Sequence, residues 1–174
     1  VFAAEEPVDP ATILFTPEQE ELAELSNPAE GTATGHELGR IFRELQALDE
    51  EALLEEALLD AAIDLLRAER GFLALVNDKN DLVYVVTRHF DPREHQHEVR
   101  QELVQQAMAE GRAMRHRRGG RAQACAPLTG GGRVRGCLYL DAGGPERFAD
   151  GDLNTLELLA LYGAALLDNL GNRR

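Results

Sequence analysis

Tryptophan, cysteine and long hydrophobic runs are scarce in this 174-residue chain, which has no Trp and only two Cys. Two cysteines are too few for the disulfide framework of a small secreted domain, so we expect a reduced, cytoplasmic setting. No apolar run approaches the length of a membrane span, and no signal-peptide pattern opens the chain. The sequence therefore predicts no membrane association.

Positive charge is also in short supply, with 18 Lys and Arg against 31 Asp and Glu and a net charge of -13. An acidic surface repels phosphate backbones, so we expect no direct contact with nucleic acid. The chain has no Walker loop, nucleophile elbow or Ser/His/Asp order. Gly130 to Gly132 is interpreted as a turn and not as a phosphate loop, because a strand follows it. We therefore expect no catalytic activity.

The two ends of the chain differ in composition from its middle. Residues 1–35 are rich in Pro, Glu and Ala, and we interpret them as an acidic linker with a short helix that starts near Thr16. Residues 171–174 form a charged tail. Since the chain opens with Val1 and closes on this tail, we expect it to be a piece of a longer protein.

Residues 121–141 form the clearest structural pattern. Ala122 to Leu128 is mostly apolar, three glycines supply a tight turn, and residues from Val134 to Leu140 alternate between two faces. Neither face is purely polar. The pattern predicts a central β-hairpin that is covered on both sides.

The Pro127–Leu128 pair, the glycine turn and the Val-x-Gly-x-Leu-x-Leu strand resemble the last hairpin of a GAF domain, a small-molecule sensor module of bacterial signalling proteins. The resemblance extends over about residues 36–170. It implies an α+β, profilin- or PAS-like fold with a central antiparallel sheet of five to six strands and helices on both faces. It also implies that the N- and C-terminal helices pack together on one face.

Periodicity places the remaining elements. We expect helices after His36, after an Asp49 cap, from Asp91 to Gly111, and from Phe148 onward. Two strands joined by an Asn/Asp-rich turn are expected at 71–88. A short edge strand is expected at 113–114, followed by a Gly119–Gly120 turn.

Leucine-rich stripes at both ends of the domain predict a homodimer. The spacings of three and four residues are those of a coiled-coil seam, although the C-terminal stripe could instead pack only on its own sheet. We favour the dimer. The predicted seam consists of Leu38, Ile41, Leu45, Leu48, Leu156, Ala160, Gly163 and Leu167.

Cys125 and Cys137 are the pair of residues in the sequence with the most chemical interest. A hairpin symmetric about Gly131 sets Cys125 opposite Cys137, within reach of a disulfide. Such a pair could sense redox state or hold a soft metal. We favour the simpler interpretation of two small buried hydrophobic residues.

Other polar residues give weaker predictions. His95 and His97 would diverge on a helix, so we expect no metal site. The basic segment 112–121 could attract an anionic ligand or an acidic partner, or it could be a solvated loop. The candidate pocket residues are Cys125, Cys137, Tyr139, His89 and Arg115.

The resemblance implies a non-catalytic sensory domain that relays binding of an unknown small molecule to an output domain outside this chain. Residues 8–14 resemble the link that follows a forkhead-associated (FHA) domain, and gene regulation is a plausible setting. No cofactor is identified, and a domain that binds no ligand at all is one of the alternatives. One alternative is an enzyme of the free methionine sulfoxide reductase kind, disfavoured because only two cysteines are present. The other is a protein-interaction scaffold.

Overall fold

The computed structural model describes residues 35–172 except 92, 94–98 and 145. These residues form an α+β fold around a five-stranded, wholly antiparallel sheet. The expected fold class is confirmed. In chain order the elements are α1 (Gly35–Gln46), α2 (Glu51–Leu66), β1 (Arg70–Val76), β2 (Leu82–Arg88), α3 (Gln101–Glu110), β3 (Met114–Arg118), β4 (Arg121–Gly130), β5 (Arg133–Gly143) and α4 (Asp150–Gly171).

The β4–β5 hairpin lies inside the sheet, whose strand order is β2-β1-β5-β4-β3. Because neighbouring residues of a strand point to opposite faces, the two faces of the hairpin can be assigned residue by residue. Leu138 and Leu140 lie in one hydrophobic cluster, whereas Cys137 and Tyr139 lie in the other. Both faces are buried, as the sequence predicts.

One face of the sheet is covered by α2 and α4, and α1 packs against these two helices. Leu156, Ala160 and Leu167 of α4 are buried there against the protomer's own sheet and helices. Gly163 lies so close to α2 that a Cβ atom at this position would be 2.3 Å from Cδ2 of Leu58. These four predicted seam residues therefore pack inside the protomer.

The predicted seam on α1 is divided in the same way. Ile41 and Leu45 are buried in the core, whereas Leu38 and Leu48 are only partly buried against it. The apolar side chains that α4 exposes are Leu158 and Leu161, with 49% and 46% of their surface accessible. The exposed apolar stripe of α4 is therefore offset from the seam that the sequence predicts.

The opposite face of the sheet is covered by α3. Leu103, Val104 and Ala107 of this helix pack onto the side chains of β1, β4 and β5. The helix ends at Gly111, which adopts a positive φ of 68° and closes the last turn, as predicted. Its start is Gln101, later than the expected start at Asp91. The Asp91 carboxylate instead accepts a hydrogen bond from the backbone N–H of Arg93, at 2.8 Å.

Two further helix caps differ from their sequence patterns. The residue that caps α2 is Glu50 in place of Asp49, and it makes no side-chain cap hydrogen bond. At α4 the Asp152 carboxylate accepts the backbone N–H of Ala149, at 3.0 Å.

The register of the central hairpin corrects the predicted pairing of the cysteines. Thr129 pairs with Val134 but Leu128 pairs with Gly136, so β5 contains an extra residue at Arg135. Cys125 consequently lies opposite Tyr139, and Cys137 opposite Pro127. The prediction was wrong because it assumed a turn centred on Gly131 and no bulge. The turn is centred between Gly131 and Gly132, and the bulge shifts the pairing by one more residue.

None of the helices in the described part of the chain is long and apolar enough to cross a membrane. The expected short helix near Thr16 and the link at residues 8–14 lie outside the described residues. The Gly119–Gly120 turn is present with positive φ angles of 62° and 75°, and the edge strand beside it extends to Arg118.

Candidate ligand-binding site

The face of the sheet beneath α3 gathers aromatic and sulfur-containing side chains. Phe72 and Ala74 reach it from β1, Cys137 and Tyr139 from β5, and Cys125 from β4. They share this face because β1 and β5 pair in register, with Phe72 opposite Tyr139 and Ala74 opposite Cys137. Each of these side chains is buried.

Phe72 is the centre of the aromatic contacts. Its ring is stacked on that of Tyr139 at a centroid distance of 4.8 Å and meets Tyr84 edge-on at 4.8 Å. Phe90 packs against it at 5.6 Å. Contacts of this kind contribute about 0.5–1.5 kcal/mol each beyond the area they bury, so this floor is rigid.

The Tyr139 hydroxyl anchors the beginning of α3. It accepts a hydrogen bond from the backbone N–H of Arg100, at 3.2 Å. Burial raises the pKa of Tyr139 well above its ordinary value, so the phenol is neutral at physiological pH. The contact ties the start of the covering helix directly to the sheet.

A cavity of about 210 Å³ lies between α3 and the β1–β2 side of the sheet. Most of the residues that line it are apolar, and the other two are Tyr84 and Gln101. This volume is below the 300–1,000 Å³ typical of pockets for drug-sized ligands, so it suits a small ligand. The lining residues are Phe72, Ala74, Leu82, Tyr84, Val99, Gln101 and Val104.

Charged and polar groups occupy the other end of the same face. The Asp141 carboxylate, 1% exposed, accepts hydrogen bonds from Arg70 at 3.0 Å and Arg121 at 2.7 Å. Gln123 lies beside Asp141 in the sheet, and its Oε1 atom is buried without a hydrogen-bond partner. Since a buried acceptor without a donor costs about 1–3 kcal/mol, this atom is a candidate contact for a bound donor group.

The two thiols are buried neighbours on this face and not a disulfide. They are diagonal neighbours across β4 and β5, and the thiol of Cys125 is hydrogen bonded to Cys137. That hydrogen bond, with burial, raises the pKa of Cys125 well above its ordinary value. A thiol held in its protonated form is a poor nucleophile.

This architecture matches a known family over most of its length. The family model described as GAF domain matches residues 47–168. The chain belongs to the GAF domain family.

Solved structures share the fold at low sequence identity. A free methionine-R-sulfoxide reductase from Neisseria meningitidis, solved with its substrate, has a TM-score of 0.68 and 17% identity over 86% of this chain and 96% of its own. The GAF domain of a putative sensor histidine kinase from Pseudomonas syringae pv. tomato has a TM-score of 0.62 and 21% identity over 90% and 92%. The GAF domain of an Acinetobacter phosphoenolpyruvate-protein phosphotransferase has 0.64 and 12% over 78% and 92%. No curated protein sequence matches the chain.

The structure brings together three of the five candidate pocket residues of this GAF domain. Cys125, Cys137 and Tyr139 lie side by side beneath α3. His89 is exposed at the end of β2, where it adopts a positive φ of 54°. Arg115 is on the opposite face of the sheet, because it is the residue after Met114 on β3 and so points the other way.

Two side chains of the candidate site, Phe72 and Tyr84, were not predicted from the sequence. Both lie within strands that the sequence predicts, but the pattern there does not indicate which face meets α3. The bulge between Leu73 and Ala74 in the β1–β2 ladder shifts the register further. The signal that could have found them is the clustering of aromatic residues in the first strand pair.

The basic segment 112–121 of this GAF domain mostly pairs with its own acids. Arg115 contacts Asp150 at 2.7 Å and the carbonyl of Phe148 at 2.9 Å, which fixes β3 to the start of α4. Arg112 pairs with Glu110 at 2.8 Å. The hypothesis that Arg115 helps to bind an anionic ligand is therefore not supported by its position.

A larger hollow of about 650 Å³ lies between α1 and α2. It is an open groove with Ile41 and Leu45 at its base and acidic side chains, such as Asp60 and Asp64, along its rim. It is more open to solvent than the cavity beneath α3, which is bounded by the sheet on one side and by the helix on the other. We therefore assign the candidate site to the cavity beneath α3.

Within the described residues, no three His, Cys, Asp or Glu side chains lie close enough together to bind a metal ion. His116 on β3 lies opposite Gln123 on β4, away from His89 at the end of β2.

Proposed function

We propose that this GAF domain is a non-catalytic sensory domain of a cytoplasmic signalling protein. It binds a small, largely apolar molecule between α3 and the sheet. Its terminal helices relay this event to an output domain, or to an FHA domain, elsewhere in a longer protein. The observation that carries the proposal is the apolar, aromatic-floored cavity of about 210 Å³ beneath α3.

The position of the cavity supports a relay. Its floor residue Phe72 belongs to β1, which pairs with β5 in the centre of the sheet. The other face of the same strands carries α2 and α4, so a change in sheet geometry reaches both helices directly. The sensor kinase neighbour has the same fold, which is consistent with such a role.

The state of the thiols favours sensing over catalysis. Reductive chemistry at sulfur starts from an accessible thiolate, whereas Cys125 and Cys137 are fully buried and Cys125 is held protonated. We expect no turnover of methionine sulfoxide in the presence of a thiol reductant. Measurable turnover that Cys125→Ser or Cys137→Ser abolishes would overturn the non-catalytic part of the proposal.

The ligand can be sought by thermal shift with a panel of small apolar and aromatic compounds. A compound present at 100 times its dissociation constant should stabilise the fold by about 2.7 kcal/mol. Ala74→Leu places extra carbon atoms in the cavity and should abolish the shift, whereas Leu48→Ala, in the α1–α2 groove, should leave it unchanged. If every compound raised the unfolding temperature of wild type and of Ala74→Leu by the same amount, the result would contradict binding in this cavity.

We further propose that the domain forms a homodimer through the outward stripe of α4. Leu158 and Leu161 are exposed and spaced as in a coiled-coil seam, so a second copy of the same helix is the fitting partner. Leu158→Glu with Leu161→Glu should convert a dimer to a monomer in light-scattering chromatography. The variant Leu53→Glu, equally exposed on α2, is the control. A monomeric wild-type chain at high concentration would refute this interface.

A further inference from the structure

All sulfur in the described part of the chain lies in one place. The sequence has two Cys and two Met, and the structure puts Cys125, Cys137, Met108 and Met114 in the single hydrophobic cluster beneath α3. They come from three strands and one helix, so sequence proximity does not explain the gathering. The other members of the cluster are aliphatic or aromatic.

Cys125 is a strand neighbour of both Met114 and Cys137. Cys125 and Cys137 are diagonal neighbours on β4 and β5, and both side chains lie in the cluster beneath α3. Met114 on β3 is paired directly with Cys125 on β4, and directly opposed residues of an antiparallel pair share a face. The two thiols and one thioether therefore converge on the same part of the sheet surface.

A disulfide is not the natural product of this geometry. Diagonal neighbours in an antiparallel pair have Cα atoms about 7–8 Å apart. Disulfides usually need about 4.4–6.8 Å, so the two cysteines could be joined only if the backbone moved. A metal ion between the sulfur atoms makes no such demand, because it spans a longer separation.

The ligand chemistry selects one class of metal. Thiolate and thioether sulfur are soft ligands that favour Cu(I), whereas Mg²⁺ and Ca²⁺ require oxygen ligands. Among the described members of this cluster, the side chain that carries an oxygen atom is Tyr139, whose hydroxyl already accepts the N–H of Arg100. We propose that Cys125, Cys137 and Met114 form a binding site for Cu(I), distinct from the small-molecule cavity and independent of whether that cavity binds a ligand.

Binding of Cu(I) changes the protonation of the thiols but not the oxidation state of the metal. Each thiol that becomes a thiolate ligand releases its proton to solvent, and the copper stays Cu(I) throughout, so no oxidant or reductant is consumed. Binding should therefore tighten as pH rises. The ion has a route inward, because Met114 is only half-buried and Ala74, on the cavity wall, lies opposite Cys137.

The test is an anaerobic titration of the fully reduced protein with Cu(I) in competition with a chromophoric chelator. We expect one Cu(I) per chain, and loss of this binding in Cys125→Ser and Cys137→Ser. Met114→Leu should weaken binding at least about tenfold, since even outer-shell partners of metal ligands have effects of that size. Met108→Leu is the matched control, because Met108 packs on the cluster from α3 without a strand-register link to either cysteine. Its effect should stay within about twofold.

X-ray absorption at the copper edge gives an independent readout on the wild-type protein, and it should show a shell of sulfur atoms alone. This measurement, with Met114→Leu, decides the matter even if a Cys→Ser variant fails to fold. Wild-type affinity equal to that of the doubly substituted Cys125→Ser/Cys137→Ser chain would overturn the proposal. Met114→Leu affinity equal to wild type, or nitrogen and oxygen in the copper shell, would do the same.

Discussion

The ring of Phe72 lies almost parallel to that of Tyr139, with 9° between their planes and 4.8 Å between their centroids. This stack links β1 to β5 beneath α3 and forms the floor of the candidate cavity. Tyr139 in turn holds the start of α3 through the N–H of Arg100. Floor and lid of the site are therefore connected through two side chains.

Removal of the Phe72 ring should damage both stability and binding. Phe72→Ala should lower the free energy of unfolding by about 3–5 kcal/mol, the usual cost of a large-to-small change in a core. Val83→Ala, on the exposed part of β2, should cost less than about 1 kcal/mol. Urea denaturation of the two variants checks this, and equal effects would show that Phe72 is not the centre of the aromatic cluster.

Two glycines in helices should respond oppositely to alanine. At Gly163 a Cβ atom would overlap Leu58, so Gly163→Ala should destabilise the protomer by about 1–3 kcal/mol. At Gly39 the nearest atom is Nη1 of Arg43, at 3.8 Å, so Gly39→Ala should stabilise the chain by about 0.5–1 kcal/mol.

Thermal unfolding of the two glycine variants at several protein concentrations measures these changes in stability. If Gly163→Ala left the protomer as stable as wild type and changed only its oligomeric state, Gly163 would belong to the subunit seam that the sequence predicts.

The buried Asp141 should matter far more than its exposed neighbour Glu69. Asp141→Ala leaves Arg70 and Arg121 without their shared carboxylate, a change that usually costs about 3–5 kcal/mol at buried pairs. Glu69 contacts Arg121 at 2.9 Å but is half exposed, so Glu69→Ala should cost about 1 kcal/mol or less. Chemical denaturation of both variants should show this contrast, and similar losses would contradict the central role of Asp141.

The carboxyl group of Glu55 should make the protein less stable at neutral pH. Burial, followed by repulsion from Glu51 and Glu56, raises its pKa above the ordinary value of 4.5. The folded chain therefore holds this proton more tightly than the unfolded chain. Stability is lost as pH rises from about the ordinary pKa through the raised one, and the effect vanishes below both.

Glu55→Gln should thus stabilise the fold at pH 7, by at least about 0.3 kcal/mol from the relieved Glu51 repulsion alone. The gain should shrink as the pH falls toward 4, because both forms are then neutral. Glu56→Gln is the control, since Glu56 is exposed and 3.8 Å from Arg88, and it should give no gain. Denaturation curves at several pH values measure both, and a gain that grew at low pH would reverse the assigned sign.

The sequence predicts the fold well because its strongest signals are local. The alternation in β5 and the glycines before it define a hairpin buried on both faces, and helix periodicity defines α2 and α4. The cysteine pairing was displaced by two residues: one because the turn is centred between Gly131 and Gly132, and one because of the bulge at Arg135, which has no sequence marker. The same limitation affected Arg115, whose face depends on how β3 joins β4.

The leucine stripes show a different limitation. Leu156, Ala160 and Leu167 match both a subunit seam and a buried helix face, since each requires apolar residues at spacings of three and four. Only the packing of α4 against β4 and α2 distinguishes the two. The aromatic floor at Phe72 was similarly beyond reach, because it is built from three strands that meet only in the folded sheet.

Binding of a small apolar probe beneath α3 is tested most directly by a benzene titration followed in methyl NMR spectra. The account predicts that the methyl signals of Ala74, Val99 and Val104 shift first and saturate. Those of Leu45 and Leu65, in the α1–α2 groove, should stay in place. Saturation of the groove signals while the three cavity signals remain unchanged would contradict the assignment of the sensory site.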